Sequence, residues 1–483
     1  MKRTYDLLDE KIRPEKIILH LAWPTILEQL LLSCVQYADT GMVGALGKNA
    51  SAAVSLCSST TWLINGICAA LGVGFSVLIG HSMGAKDFDR SKRVMRQAFI
   101  AMLLFGLVIG LLFFGVAQVL PDWMGADPAI REDATVYMSI LSVMYLFNVA
   151  NVISGNIIRC MGDTKTPMWC NIFANLLNVA LNFLLINKTR VIDIYIKPFF
   201  MDAPLIDTEF TMWGAGLGIK GAAIASVISI AIATIIITSR LFTHDYPCKI
   251  SFKDRFRIDG DVWKDMFKIA YPVALERVAL SGGQIFMTRM VTGLGTTMLA
   301  AHHLAITAES ITYLPAFGFS VAATTLVSQS LGAKKFELAK KHSKYCLFGG
   351  MMFMTVMGVV LFLFAEQLVG ILTPDPDVIA AGAGVLGIEA FAQTMFGAST
   401  VVSGILRGAG DTKWSFYISI IGMWGVRLII AYVLINVFEL GLVGAWIAMF
   451  SDLTIRGILC LVRYFRYGWL KPYTDAEKLS ASA

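Results

Sequence analysis

The sequence predicts an all-α integral membrane protein: twelve transmembrane helices in two six-helix parallel-repeat bundles, an N-lobe and a C-lobe, around a central cleft. Three observations lead there: an apolar composition, a one-sided distribution of basic residues, and an internal repeat at a single offset. Of 483 residues, 56% are hydrophobic and 15% charged, against about 45–50% and about 25% in soluble domains. That balance excludes a water-soluble enzyme. Each crossing of a hydrocarbon core about 30 Å thick needs about 20 residues, so the chain holds about a dozen crossings and little else.

Apolar stretches between polar breaks place helices near 17–41, 52–80, 97–120, 133–158, 167–187, 214–240, 266–293, 298–328, 345–372, 378–405, 415–437 and 442–464. Twelve helices make the connections alternate between two sides. The N-terminus, the even-numbered connections and the C-terminal end carry 31 of the 40 Lys and Arg; the other side carries six, and Arg277, Arg289 and Arg427 lie inside helices. By the positive-inside rule both termini are cytoplasmic, in the inner (plasma) membrane of the cell. The net charge of +6 therefore belongs to membrane orientation, and no nucleic-acid partner is expected. The first apolar run contains His20, Pro24 and Glu28, unlike a cleaved secretory leader, and stays as the first helix.

The repeat is plain. Pro24, Leu27 and Glu28 recur as Pro272, Leu275 and Glu276; Gly84-Ala85-Lys86 recurs as Gly332-Ala333-Lys334; Arg159 and Gly162-Asp163-Thr164-Lys165 recur as Arg407 and Gly410-Asp411-Thr412-Lys413, all at an offset of 248. Six helices per unit is an even number, so the units enter the membrane in the same sense and form parallel repeats, with substrate sites expected at their interface. The expected division is an N-lobe over 1–240, a cytoplasmic linker over 241–265, and a C-lobe with a cytoplasmic tail over 266–483. The linker is either an amphipathic strap or a solvated connection. The first unit carries 25 extra residues, most of them in a polar external loop near 188–213. GAK and R-x-x-GDTK read as helix-capping turns. The eight cysteines, without CxxC spacing or a histidine partner, read as reduced thiols; no metal site and no cofactor is expected.

A charge at mid-bilayer costs at least about 2.5–3.5 kcal/mol on insertion scales, so each intramembrane acid needs a reason. Glu28 and Asp39 are eleven residues apart, within about 20° of one helical face and about 16 Å apart in rise. Gln36 and Tyr37 extend this polar stripe toward the cleft, and Gln284 is its candidate counterpart on the seventh helix. Asn171, Asn175, Asn178 and Asn182 form a ridge on the fifth helix. The ridge is either interhelical glue, or Asn178 and Asn182 orient the Asp39 carboxylate for a proton or a dehydrated cation. In the second unit Glu309 and Glu276 are the candidates; Glu276 reads as a local ion pair with Arg277; Arg289 and Arg427 either partner Glu309 or snorkel to an interface, and Glu389 reads as interfacial. His302-His303 reads as part of a short external turn.

These residues resemble the multidrug and toxic compound extrusion (MATE) transporters over nearly the whole chain. The resemblance rests on Pro24 with Asp39, on Ala300-Ala301-His302-His303, on Gly332-Ala333-Lys334, and on Leu406-Arg407-Gly408 with Asp411-Thr412. It implies a proton- or sodium-driven antiporter that exports bulky, often cationic and aromatic compounds, with Asp39 as the N-lobe coupling acid and Asn178 beside it. The proton-coupled branch usually has an aspartate where this chain has Asn182. The sodium-coupled branch has acids where this chain has Leu280 and Phe396. The expected function is secondary active efflux of small organic molecules through the bilayer by a functional monomer, coupled to H+ or Na+. The alternatives are a lipid-linked saccharide flippase of the same superfamily and, further off, an integral-membrane enzyme.

Overall fold

A computed structural model describes residues 7–44, 46–123, 128–196, 206–244, 246–251 and 256–475. Among these the regular structure is helical apart from one hairpin; eleven helices or bent helix pairs are long and apolar enough to cross a membrane, and the more highly charged Gly260–Thr292 is numbered with them as span 7, the twelfth. Spans 1 to 7 are Pro14–Gly44, Lys48–Gly84, Phe88–Trp123, Pro128–Cys160, Lys165–Ile186, Ile219–Thr243 and Gly260–Thr292. Span 8 is a bent pair, Thr296–Thr312 and Leu314–Gly332, and span 9 is Phe336–Leu363. Span 10 is a second bent pair, Pro376–Ala390 and Gln393–Gly408. Span 11 runs over 412–436 with a π-helical turn at Ile421–Arg427, and span 12 is Gly441–Phe465. The bends are 46° in span 8 and 58° in span 10. Both are in the second repeat unit; the equivalent spans 2 and 4 are unbroken.

The insertion predicted as a polar loop is instead an antiparallel hairpin. Strand β1 (Lys188–Ile196) pairs with β2 (Ile206–Ala215), with Ile192 opposite Phe210. A period-two pattern, Val191-Ile192-Asp193-Ile194-Tyr195-Ile196, was the signal for a strand.

The apolar cores do not follow chain order. Ile17, Ile18, Leu21 and Ala22 of span 1 are buried with Phe319, Ala322 and Val401 of the second unit. Val262, Met266 and Ala270 of span 7 are buried with Phe75, Val94 and Ile153 of the first. Each lobe's opening helix thus leans its basic-side half, the half at the Lys/Arg-rich connections, into the other lobe. The linker is anchored rather than loose: Tyr246 donates to Asp163 at 2.9 Å, Gln97 Nε2 to the Arg257 carbonyl at 2.7 Å, and Trp263 Nε1 to Gln97 Oε1 at 2.9 Å.

The two lobes meet at the basic side in a pseudo-two-fold seam. A Cβ on Gly84 would lie 2.0 Å from the Gln329 carbonyl oxygen, and one on Gly332 would lie 2.0 Å from that of His81. Residues 84 and 332, and 81 and 329, are each related by the 248 offset. The His81 ring bonds the Gly408 carbonyl at 2.9 Å, and Gln329 donates to the Cys160 carbonyl at 2.7 Å, again an equivalent pair. These contacts correct the reading of GAK. The residue in the left-handed turn is the lysine, Lys86 or Lys334, each with φ 56°, while the glycine is there so that spans 2 and 8 can cross backbone to backbone.

Candidate functional site

In the N-lobe, span 1 carries Asp39 against the asparagine ridge of span 5. Asn182 Nδ2 donates to Asp39 Oδ1 at 2.7 Å. In the orientation that satisfies its neighbours, the Asn178 amide donates to both Asp39 oxygens at 3.0 Å and accepts from the Ser226 backbone N–H at 3.3 Å. Both asparagines are buried. Among the described residues no basic side chain pairs with Asp39, so its charge is met by neutral amide dipoles alone. A carboxylate so held can lose its charge to a proton without leaving a cation stranded. Gln36 is exposed, and the Tyr37 side chain lies outside the described residues.

The remaining asparagine of interest, Asn171, serves a different acid. Glu28 pairs with Arg159 at 2.5 Å and accepts from Asn171 Nδ2 at 2.5 Å. At the equivalent positions Glu276 pairs with Arg407 at 3.5 Å and accepts from Ser419 and Ser415, each at 3.1 Å. Each lobe therefore holds one buried glutamate paired with a partly buried arginine and bonded by span 5 or span 11. Glu28 is tied to a cation on span 4, not held with Asp39. Likewise Glu276 takes Arg407 on span 10 rather than its neighbour Arg277, because an adjacent residue points to a different face of the helix.

The C-lobe holds a second polar interior. Gln393 Nε2 donates to Glu309 Oε1 at 3.3 Å. Arg427 donates to Asp452 Oδ2 at 2.8 Å, and Arg456 donates to the same oxygen at 2.5 Å. Gln284, placed in the cleft from sequence, accepts from Arg427 Nη1 at 3.5 Å. Sequence reasoning missed Asp452; an Asp with Arg four residues on inside an apolar span was its signal. Gly422 in the π-helical turn makes the room, since a Cβ there would lie 2.2 Å from Asp452 Oδ1. Arg427 therefore neither snorkels nor bonds Glu309.

Two placements from sequence are corrected. Glu389 is not interfacial: it is fully buried, thirteen residues into span 10. His302 is not in a turn: it is buried in span 8, accepting from Trp446 Nε1 at 3.1 Å. Phe396, at the sodium branch's acid position, packs against Tyr313 with ring centroids 5.5 Å apart.

The comparisons with known proteins agree with this architecture. The MatE family model matches residues 24–184 and 272–433, one match per repeat unit. The chain belongs to the MatE family. It is similar to a probable multidrug resistance protein NorM of Thermotoga maritima, 27% identical over 94% of this chain and 93% of that one. It is also similar to a probable multidrug resistance protein NorM of Neisseria meningitidis, at 26% over 92% and 93%. Among solved structures, a MATE in complex with MaL6 superposes with a TM-score of 0.86 at 22% identity, covering 98% of this chain and all of that one. An outward-facing multidrug resistance MATE family transporter of the MOP superfamily gives 0.85 at 22% identity, covering 98% and 99%. The chain is thus a multi-pass membrane transporter of small molecules, not an enzyme, with twelve helices in two lobes.

Proposed function

We propose that this chain is a secondary active antiporter that exports organic, cationic and aromatic drugs or metabolites in exchange for protons. It works by alternating access in the inner membrane, as a monomer with both termini in the cytoplasm. One observation carries the reading: Asp39 is half-buried in span 1 and met by the amides of Asn178 and Asn182, with no basic partner among the described residues. Such a carboxylate binds a proton or a cationic compound but not both, which is the exclusion an antiporter needs. The rocking bodies are 1–240 and 266–483, joined by the linker, and the seam at Gly84 and Gly332 is their cytoplasmic closure. The names of the NorM relatives support multidrug cargo.

Flipping of a lipid-linked saccharide calls for a cationic cleft. Here the buried Arg427 and the partly buried Arg159 and Arg407 are each paired with an acid, which leaves them little charge to offer an anionic headgroup. The test of the antiport reading is Asp39→Asn in inverted vesicles loaded with ethidium. Expression in the membrane should be unchanged and proton-driven uptake abolished. Full uptake by the variant, or wild-type uptake driven as well by a sodium gradient as by a proton gradient, would overturn it.

A further inference from the structure

The C-lobe interior holds more negative than positive charge. Its described members are Glu309, Glu389, Asp452, Arg427 and Arg456, three acids against two bases. Asp452 takes both arginines. Among the described residues Glu309 accepts from the Gln393 amide, and neither carboxylate oxygen of the fully buried Glu389 has a hydrogen-bond partner. Two further buried groups face the same interior unsatisfied. Gln393 is fully buried and its Oε1 accepts nothing. His302 is fully buried, and its Nε2 has no partner. Unmet buried polar atoms are rare because each forfeits its solvation, and an uncompensated carboxylate in a membrane interior is the costliest kind.

The placement of the two glutamates is regular. Glu309 is thirteen residues after Thr296, and Glu389 thirteen after Pro376, so both sit about 20 Å along their spans from the same side. Each lies within four residues of the bend of its span, at Tyr313 and at Phe391-Ala392. Their repeat equivalents, Thr61 and Leu141, lie in unbroken helices, and the C-lobe equivalent of Asp39 is the buried Met287. The acids are therefore particular to this lobe and are tied to its two broken spans rather than inherited from the repeat.

We propose that Glu309 and Glu389 form a proton-binding pair that bridges the bends of spans 8 and 10, a second titrating site besides Asp39. One proton cancels the excess charge. The protonated carboxyl is a donor, and Gln393 Oε1 is an unmet acceptor four residues beyond Glu389. A transition-metal ion is disfavoured: no group of three His, Cys, Asp or Glu side chains converges among the described residues, and two arginines stand in the same interior; sodium is the competing occupant that the test below separates from a proton. Release is the simple step in which the carboxylic acid O–H breaks, its electron pair stays on the carboxylate, and the proton passes to water. The bare charge that remains then favours a conformation in which the bends open to water. The binding of the proton is independent of the transport reading; only its use in coupling rests on the antiport mechanism proposed above.

Infrared difference spectroscopy of the whole purified transporter tests it. At neutral pH the wild type should show a carboxylic acid C=O band from a dry site. The band should persist in Asp39→Asn and disappear in the Glu309→Gln/Glu389→Gln double variant, with each single variant shifting it. Glutamine keeps the size and the neutrality of the protonated acid, so folding should survive; a circular dichroism melt on the same samples checks this. The same band in the double variant, or its loss from the wild type on adding sodium at constant pH, overturns the proposal. Loss of export in Asp39→Asn with the band intact separates the two sites.

Discussion

At the residue scale, acids paired with an arginine stand apart from acids met by neutral amides alone, and the proposed coupling role falls to the second kind. The buried Glu28 and Glu276 are each paired with a partly buried arginine, and removing the arginine of such a pair costs up to about 3–5 kcal/mol because the carboxylate is left buried alone. Arg159→Ala and Arg407→Ala should each lower the thermal unfolding midpoint in detergent sharply, while Glu28→Gln/Arg159→Gln should recover most of the loss. Transport per folded molecule in that double variant should stay near the wild-type value; a loss as complete as that of Asp39→Asn would make Glu28 a coupling residue after all. Around Asp39 the expectation is opposite. A hydrogen bond to a charged group is worth about 1.5–3 kcal/mol, so Asn182→Ala should slow proton-driven export by about one to two orders of magnitude while leaving the melting midpoint within a few degrees. That pattern was legible in sequence as far as the Asp39 stripe and the spacing of Asn178 and Asn182. The ion pairs were not, because Glu28 and Arg159 are 131 positions apart and helical periodicity says nothing about which face meets which helix.

At the element scale, glycine positions matter more than their helix propensity suggests. The crossing of spans 2 and 8 leaves no space for a methyl group at Gly84 or Gly332, and both obstacles are backbone carbonyls, which cannot rotate aside. Gly84→Ala and Gly332→Ala should push the lobes apart at the basic side. Cys160 reports on this, since it is buried beneath the seam with its Sγ 3.5 Å from Ser328 Oγ. With the exposed Cys34 replaced by serine, its modification by a small thiol reagent, read by mass spectrometry, should quicken at least about tenfold in either variant. An unchanged rate would show that the crossing tolerates the methyl group and that the glycines are not what holds it closed. Both glycines stand out in the repeat yet read there as turn residues, because a helix-end motif and a close helix crossing use the same residue for different reasons. The bends of spans 8 and 10 and the π-helical turn were less legible still, since hydropathy reads straight through all three. Pro315, two residues past the break of span 8, was a signal for that bend; the break at Phe391-Ala392 and the turn at Ile421–Arg427 carry no proline. This is also why Glu389 looked peripheral.

At the scale of the whole molecule, the 248-residue offset is a statement about motion. Two lobes of like sense share a pseudo-two-fold axis, and every seam contact that the repeat duplicates must break together when the closed side opens: His81 with Gly408, Gln329 with Cys160, and the two glycine crossings. The duplicated sites that would couple a charge are not duplicated in kind, since Asp39 is matched by Met287 and Glu309 by Thr61. On the antiport mechanism proposed above, symmetry governs the rocking and asymmetry the chemistry. The seam supplies a lock that needs only one substitution. Ser328 stands opposite the native Cys160 across the lobe interface, with Oγ and Sγ 3.5 Å apart, so Ser328→Cys places two thiols where a small approach makes a disulfide of normal length, about 2.05 Å. Mild oxidation of Ser328→Cys in membranes should abolish ethidium export, and a reductant should restore it. The Cys160→Ser/Ser328→Cys variant should be indifferent to both treatments. Export that continues while a peptide map shows the disulfide between Cys160 and the substituted position 328 fully formed would mean that the lobes do not separate at this seam, and rocking about the pseudo-two-fold axis would have to be replaced by a motion within one lobe.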